Sequence, residues 1–323
     1  MKMTGMKSIL AALVAVHSLA ASAELTRAER LRRIWDSDDR TYVFVAVHRG
    51  DWIDHSENSL SGIRGIIEKG ADIMELDAQR TADGHFVISH DGSVDRCTDG
   101  KGSIGKMKLE DLVKLRLREH GGGKNAALTD ETMPTLEQAL EACRGKVLVN
   151  IDRSQNWPEE IYDVVRRLGM ERQVILKSAL PFEKTRQKFG RAWADCASGK
   201  VEFMPILWCY DKTNSVNVAT CDPWLAMPRP PHCYEVCFGS DETAELVLGR
   251  LKAHPSNPRL WVNVMWGSLC AGHHDGWAKE GWKGYDPERG WGWVVDRGAT
   301  VLQTDHTAGL VRYLTARGRH TLK

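Results

Sequence analysis

"LSGIRGIIEKGADIMELD", residues 60–77, decides the fold. The stretch LSGIRGIIEKG reads as a helix stopped at Gly70, and ADIMELD reads as an apolar strand that ends in a carboxylate. A helix that feeds directly into such a strand is half of a βαβ unit. The pattern extends in both directions. "YVFVAVH" (42–48) precedes it as a strand. "HFVISHD" (85–91) follows, then the helix "TLEQALEACRG" (135–145), with Thr135 and Gln138 placed to form a capping box. "KVLVNID" (146–152) is a strand, "PEEIYDVVRRLG" (158–169) a helix and "QVILKS" (173–178) a strand. VEFMPIL, CYEVCF, RLWVNVM and ATVLQTD complete the strand candidates. Strands this continuously apolar suit a parallel sheet covered on both faces. The candidates exceed an eight-stranded barrel by one, and CYEVCF is the one expected to be a short loop strand. The expectation is therefore an α/β chain, a TIM (β/α)8 barrel with a small insertion after the third strand. The insertion falls at about residues 92–134, where "TDGKGSIGK" and "HGGGKN" interrupt the rhythm.

Composition narrows the function. The chain has 323 residues, a formal net charge of +1, 42% hydrophobic and 27% charged residues. With no broad basic excess, nucleic acid is not an expected partner, and an anionic ligand must be met by a local site. Residues 1–23 read as a signal peptide: two lysines in MKMTGMK, the apolar core SILAALVAVHSLA, then ASA before Glu24. The alternative is an amphipathic first helix. The favoured reading makes residues 24–323 one domain, periplasmic or secreted. No segment is long enough for stable membrane insertion. Of the 8 cysteines, Cys196, Cys209, Cys221, Cys233, Cys237 and Cys270 fall in the C-terminal half. An exported chain permits disulfides among them, and zinc at Cys233 and Cys237 is the weaker reading because no second pair has matching spacing.

Strand alternation makes the chemistry specific. In DIMELD, Glu75 and Asp77 share a face with Ile73, so both carboxylates point into the barrel mouth if the other face packs on helices. Two neighbouring acids are costly to bury without a positive partner. A divalent cation held by oxygen ligands meets that need, as does a solvated strand end with salt bridges. VNID adds Asp152 at another strand end, and three carboxylates from two strands suit Mg2+ or Ca2+. His48 and His90 end strands on the same rim, with Arg49 beside the first. That grouping at the active-site end of a barrel points to acid–base chemistry on a phosphate.

The run HRG, ENSL, GADIMELDAQRTADGHFVISHD and DRCTDGKG, with the later MPTLEQAL and ATVLQTD, resembles the glycerophosphodiester phosphodiesterase family. The resemblance is dense over residues 43–152 and sparse beyond. It implies a TIM barrel that hydrolyses glycerophosphodiesters, small-molecule substrates, to an alcohol and glycerol phosphate. It implies His48 and His90 as acid–base residues, Arg49 on the phosphate and Glu57 supporting the metal or the arginine. It implies Glu75 and Asp77 as ligands of a divalent ion, Mg2+ or Ca2+. Asp152 stands where the family usually has a glutamate, and Ser154 where it usually has a lysine.

Lys177 has two readings: the missing positive charge, or a lysine snorkelling at a strand end. Asn263 or Trp266 in WVNVMWGS is expected to face the site. Trp224, Trp277, Trp282 and Trp291 are candidates for an aromatic wall around a head group. "GHHDG" (His273, His274, Asp275) reads as a polar loop rather than a second metal site. The rival functions are a sphingomyelinase-D-like or phosphoinositide phospholipase-like enzyme acting on lipids, a binding protein on the same scaffold, and a two-carboxylate carbohydrate enzyme. The last leaves Arg49 beside His48 unexplained.

Overall fold

The computed structural model describes residues 24–210, 219–279, 281 and 283–322. The segment read as a signal peptide lies outside them. The strands are β1 (Phe44–His48), β2 (Ile73–Arg80), β3 (Phe86–Ile88), β4 (Arg116–Arg118), β5 (Leu128–Thr132), β6 (Leu148–Asp152), β7 (Val174–Ser178), β8 (Glu202–Cys209), β9 (Cys233–Phe238), β10 (Arg259–Asn263) and β11 (Val301–Thr304). Running round the barrel, the order is β1, β2, β6, β7, β8, β9, β10, β11, all parallel. β1 pairs with both β2 and β11, which closes the ring.

CYEVCF is a barrel strand, contrary to the expectation from sequence. β9 is buried at all six residues and pairs on both sides. The odd strand out is β3, which runs antiparallel to the end of β2, with Ala78 opposite Ile88. β2 overshoots the barrel rim, and the turn at Asp83 and Gly84 (φ +87°) folds the chain back as a hairpin. The insertion follows β3 in chain order. It carries the β4–β5 ribbon and its own small core of Val87, Val94, Ile104, Leu112, Leu117 and Met133.

Alternation sorts the barrel residues as expected. Val45, Met74, Val149, Leu176, Val236 and Leu302 face outward into the large core with the helices. Phe44, Ile73, Leu148, Ile175, Met204, Trp261 and Val301 face inward and fill the lower barrel. The helix Arg27–Asp36 closes the base by laying Leu31 and Trp35 on those inward residues. Thr26 and Glu29 form a capping box at its start. At its end, buried Arg259 donates from Nε to the Trp35 carbonyl at 3.0 Å and from a terminal nitrogen to the Ile34 carbonyl. A cation thus satisfies the last carbonyls of the helix, where the helix dipole favours positive charge.

A buried ion-pair cluster locks this plug. Arg32 bridges Glu202 at 3.0 Å and Asp36 at 2.8 Å, and His232 lies 3.4 Å from Glu202. Burial pushes the Glu202 pKa up, but the His232 hydrogen bond and the Arg32 charge outweigh it and hold the pKa at about 2. This folded-state value lies below the ordinary value, so the stabilisation is full above about pH 4.3 and lost as pH falls towards 2. Arg32→Met is expected to cost ~3–5 kcal/mol at pH 7, because it strands a buried carboxylate. Denaturant unfolding at pH 7 and pH 3 should show the gap to wild type closing at the lower pH.

Candidate active site

The upper barrel is polar where the lower barrel is apolar. Glu75, Asp77 and Asp152 offer carboxylate oxygens that all lie within 4.8 Å of one another. The register explains this: Asp77 sits opposite Asp152 across the β2–β6 pair, and Glu75 lies two residues below on the same face. Burial, and then the Asp77 charge, raises the pKa of Glu75. Burial, and then the Asp152 charge, raises that of Asp77. Asn150, opposite Glu75, leaves its Oδ1 without a hydrogen-bond partner. Crowded buried carboxylates and an orphaned amide oxygen make an all-oxygen donor set, which fits a hard divalent cation.

His48 ends β1 beside Glu75. Its Nδ1 is 3.0 Å from Asp305 Oδ1, so Nδ1 carries the proton and Nε2 is left for the site. Asp305 is fixed in turn. Trp52 Nε1 donates to it at 2.9 Å, and its backbone N–H donates to buried Asp275 at 2.9 Å. Burial disfavours the His48 cation, but the Asp305 hydrogen bond and the Glu75 and Asp305 charges outweigh burial and raise its pKa. Trp266, 47% exposed, meets the ring edge-on at 5.2 Å.

The HRG sequence turns the chain sharply over the rim. Arg49 (φ +57°) and Gly50 (φ +77°) are successive left-handed residues, and a Cβ on Gly50 would meet the Gly62 backbone at 3.3 Å. The turn aims the Arg49 N–H at Glu75 Oε2 (2.9 Å) and the guanidinium at Asp77 (3.7 Å) and Glu57 (3.3 Å). Glu57 is held by Arg49 and Arg96 and makes no part of the carboxylate cluster. Burial works against its ionisation, yet the Arg96 hydrogen bond and the Arg49 charge lower its pKa. Arg96 also holds Asp91, and Asp91 Oδ1 is 2.9 Å from His90 Nδ1. His90 follows β3 rather than a barrel strand, and its charge acts on Asp77 where that of His48 acts on Glu75.

Lys177 does not snorkel. It is 4% exposed inside the barrel, 3.1 Å from Asp152 and 3.2 Å from Glu235. Burial disfavours its charge, but Asp152 and Glu235 outweigh that and raise its pKa. Asn263 faces inward too, donating to Glu235 at 2.8 Å. Ser154 is buried and exchanges hydrogen bonds with the Lys177 backbone.

Among the described residues, the expected aromatic wall does not form. Trp224 packs in a buried cluster with Phe182 and Phe203, Trp291 is buried and donates to Asp275, and Trp277 lies under Arg289. Trp282 lies outside the described residues. Within GHHDG, Asp275 is inward and structural, while His273 stacks on Trp293 and pairs with Asp241, so these two side chains have separate partners. All eight cysteines are free thiols. Asp305, Asp91, Arg96, Glu235 and Asn58, whose amide donates to Asp77 at 2.9 Å, were missed from sequence. Asp305 and Asp91 carried a signal, as acids that directly follow barrel-rim residues in "LQTD" and "SHD".

A parallel barrel with acids, a guanidinium and two carboxylate-backed imidazoles at its C-terminal mouth is chemically equipped to bind an anion and move protons on it. Residues 48–193 match the family model described as the glycerophosphoryl diester phosphodiesterase family, and residues 203–314 match one described as a domain of unknown function. A glycerophosphodiester phosphodiesterase from Caldanaerobacter subterraneus is 36% identical over 141 residues, 42% of this chain and 57% of that protein. The human glycerophosphodiester phosphodiesterase 1 is 38% identical over 132 residues, 41% of this chain and 40% of that protein. The chain is thus matched over about half the length, or less, of these relatives. A crystal structure of a glycerophosphoryl diester phosphodiesterase from Parabacteroides distasonis shares the fold, with a TM-score of 0.65, 16% identity and coverage of 91% of this chain and 93% of that one. One from Agrobacterium tumefaciens does so with a TM-score of 0.58, 21% identity and coverage of 83% and 98%. The sequence likeness to the glycerophosphoryl diester phosphodiesterase family lies in residues 48–193.

Calorimetric titration with Ca2+ or Mg2+ checks the carboxylate cluster. Glu75→Gln and Asp77→Asn should each weaken binding by at least about 100-fold, since each removes a charged ligand. Asp305→Asn, which alters the partner of His48 and Trp52 but no carboxylate of the cluster, should leave the affinity unchanged.

Proposed function

We propose that the chain hydrolyses glycerophosphodiesters to an alcohol and glycerol phosphate, with His48 and His90 as the proton-transferring residues. The observation that carries the reading is the pair of carboxylate-backed imidazoles, His48–Asp305 and His90–Asp91, near one acidic cluster. Glu75, Asp77 and Asp152 would hold Mg2+ or Ca2+. Such an ion, when bound, polarises phosphoryl oxygens and lowers the pKa of a coordinated hydroxyl. One imidazole takes the proton from the attacking hydroxyl through its free Nε2, for which the glycerol hydroxyl next to the phosphate is the nearest candidate. The other gives a proton to the departing alcohol oxygen as the P–O bond breaks. Water then opens the resulting cyclic phosphate, with the two roles exchanged. Arg49 neutralises charge on the phosphoryl oxygens. Asp305 and Asp91 hold each ring in the tautomer that presents Nε2.

Release of alcohol from a panel of glycerophosphodiesters, with chelator and with metal restored, tests the reading. Turnover should stop on chelation and return with Mg2+ or Ca2+; full activity after thorough chelation would sink it. His48→Ala and His90→Ala should fold, keep metal affinity and lose roughly 10²–10⁴-fold in turnover. A substrate with a low-pKa leaving group should rescue whichever variant lacks the acid far more than the one lacking the base. The order of charge, apolar core and small-residue site in residues 1–23 supports export, with maturation near Glu24. Intact-mass measurement of protein recovered outside the cytoplasm checks this, and a mass that retains residues 1–23 would count against it.

A further inference from the structure

We propose that Arg153 is a second phosphate-binding guanidinium, which shares the Asp77 carboxylate with Arg49. The assignment rests on the phosphodiester reading of the site. Lys177, the other candidate for a second cation, is already engaged: it is buried and shared between Asp152 and Glu235. Arg153 is placed differently. It follows Asp152 directly, in a left-handed conformation (φ +61°, ψ 9°), at the N-cap of the short 3-10 helix Ser154–Asn156. A β-strand residue at this point would point to the opposite side from Asp152. The left-handed turn instead brings the Arg153 side chain back over the mouth, with Nε 3.7 Å from Asp77 Oδ1 and 3.9 Å from Asp152 Oδ2.

Two features make this guanidinium available. Its side chain is 34% exposed, so it reaches solvent at the mouth. Among the described residues it makes no hydrogen bond, and its buried Nε has no partner. Arg49 shows the same pattern: its Nε is 3.7 Å from Asp77 Oδ2 and also lacks a hydrogen-bond partner. Two guanidinium groups therefore approach the two oxygens of one carboxylate at ion-pair distance without closing hydrogen bonds to it. Guanidinium groups bind tetrahedral oxyanions with paired N–H donors, and unused donors beside a cation site are what a phosphoryl group requires. The backbone strain at Arg153 is the expected cost of returning a charged side chain to the site.

Titration with inorganic phosphate, in the presence of Ca2+ and by calorimetry, tests the assignment without any turnover. Arg153→Gln should raise the phosphate Kd by about 10- to 100-fold, with Ca2+ affinity equal to or tighter than wild type. Arg153→Lys should recover part of the loss. In steady-state hydrolysis the Gln variant should show the loss mainly in KM. An unchanged phosphate affinity in Arg153→Gln overturns the proposal. Loss of Ca2+ and phosphate together overturns it too, because Arg153 would then act through the acidic cluster. A thermal melt that matches wild type excludes a folding defect as the cause. A wild-type chain inert towards every glycerophosphodiester counts against the functional reading alone, since the phosphate titration does not depend on hydrolysis.

Discussion

Three carboxylates forced together at the end of β2 and β6 are the constraint on which the rest of the site depends. Glu75 and Asp77 cannot separate, because alternation puts both on the inner face and the barrel closes around them. Their repulsion in a buried setting has to be offset. Every cation nearby is placed by that demand. Lys177 comes from β7 to meet Asp152, Arg49 is turned back by two left-handed residues to meet Asp77, and His48 is charged more readily beside Glu75. The same field would suit a divalent cation and the singly charged phosphodiester of the proposed reaction.

The barrel divides this work by depth. Below, apolar inward residues and the helix Arg27–Asp36 form a solid base with no room for solvent chemistry. Above, nearly every inward residue is polar, and buried pairs such as Glu235 with Lys177 and Asn263 hold it together. A rigid apolar base lets charged side chains be held at fixed positions despite their mutual repulsion. The hydrogen bonds behind the site extend well beyond it: Trp291 and Thr304 fix Asp275, Asp275 fixes Asp305, and Asp305 fixes His48.

Much of this was legible in the sequence. Period-two alternation located Glu75, Asp77 and Asp152 on the inner face, and strand ends located His48. Hairpin chemistry was legible but read wrongly. "TADGH" between two apolar runs is a turn signal, and it marks β3 as the return arm of β2 rather than as a barrel strand. CYEVCF was read as a short loop strand because the candidates exceeded eight by one, yet it is a barrel strand whose Glu235 lies inside and is matched by a lysine 58 positions away. Pairings of that kind, like Asp305 with His48 over 257 positions, depend on closure of the ring and leave no local trace. The tryptophans were misread for a related reason. A bulky ring in a loop-rich stretch is as well suited to filling the outer core as to lining a ligand site, and only packing separates the two.

The seam between β1 and β11 has a consequence for the history of the chain. The strand that carries His48 is completed by a partner about 250 residues later, and the closing residues Arg319 and His320 bond back to Thr41 and Val43. Until that late segment is available, β1 has an open edge and the base helix has an incomplete ring to plug. Such long-range closure makes folding slow relative to synthesis of the first strands. β1 is therefore held out of its native pairing until the segment that carries β11 has been made.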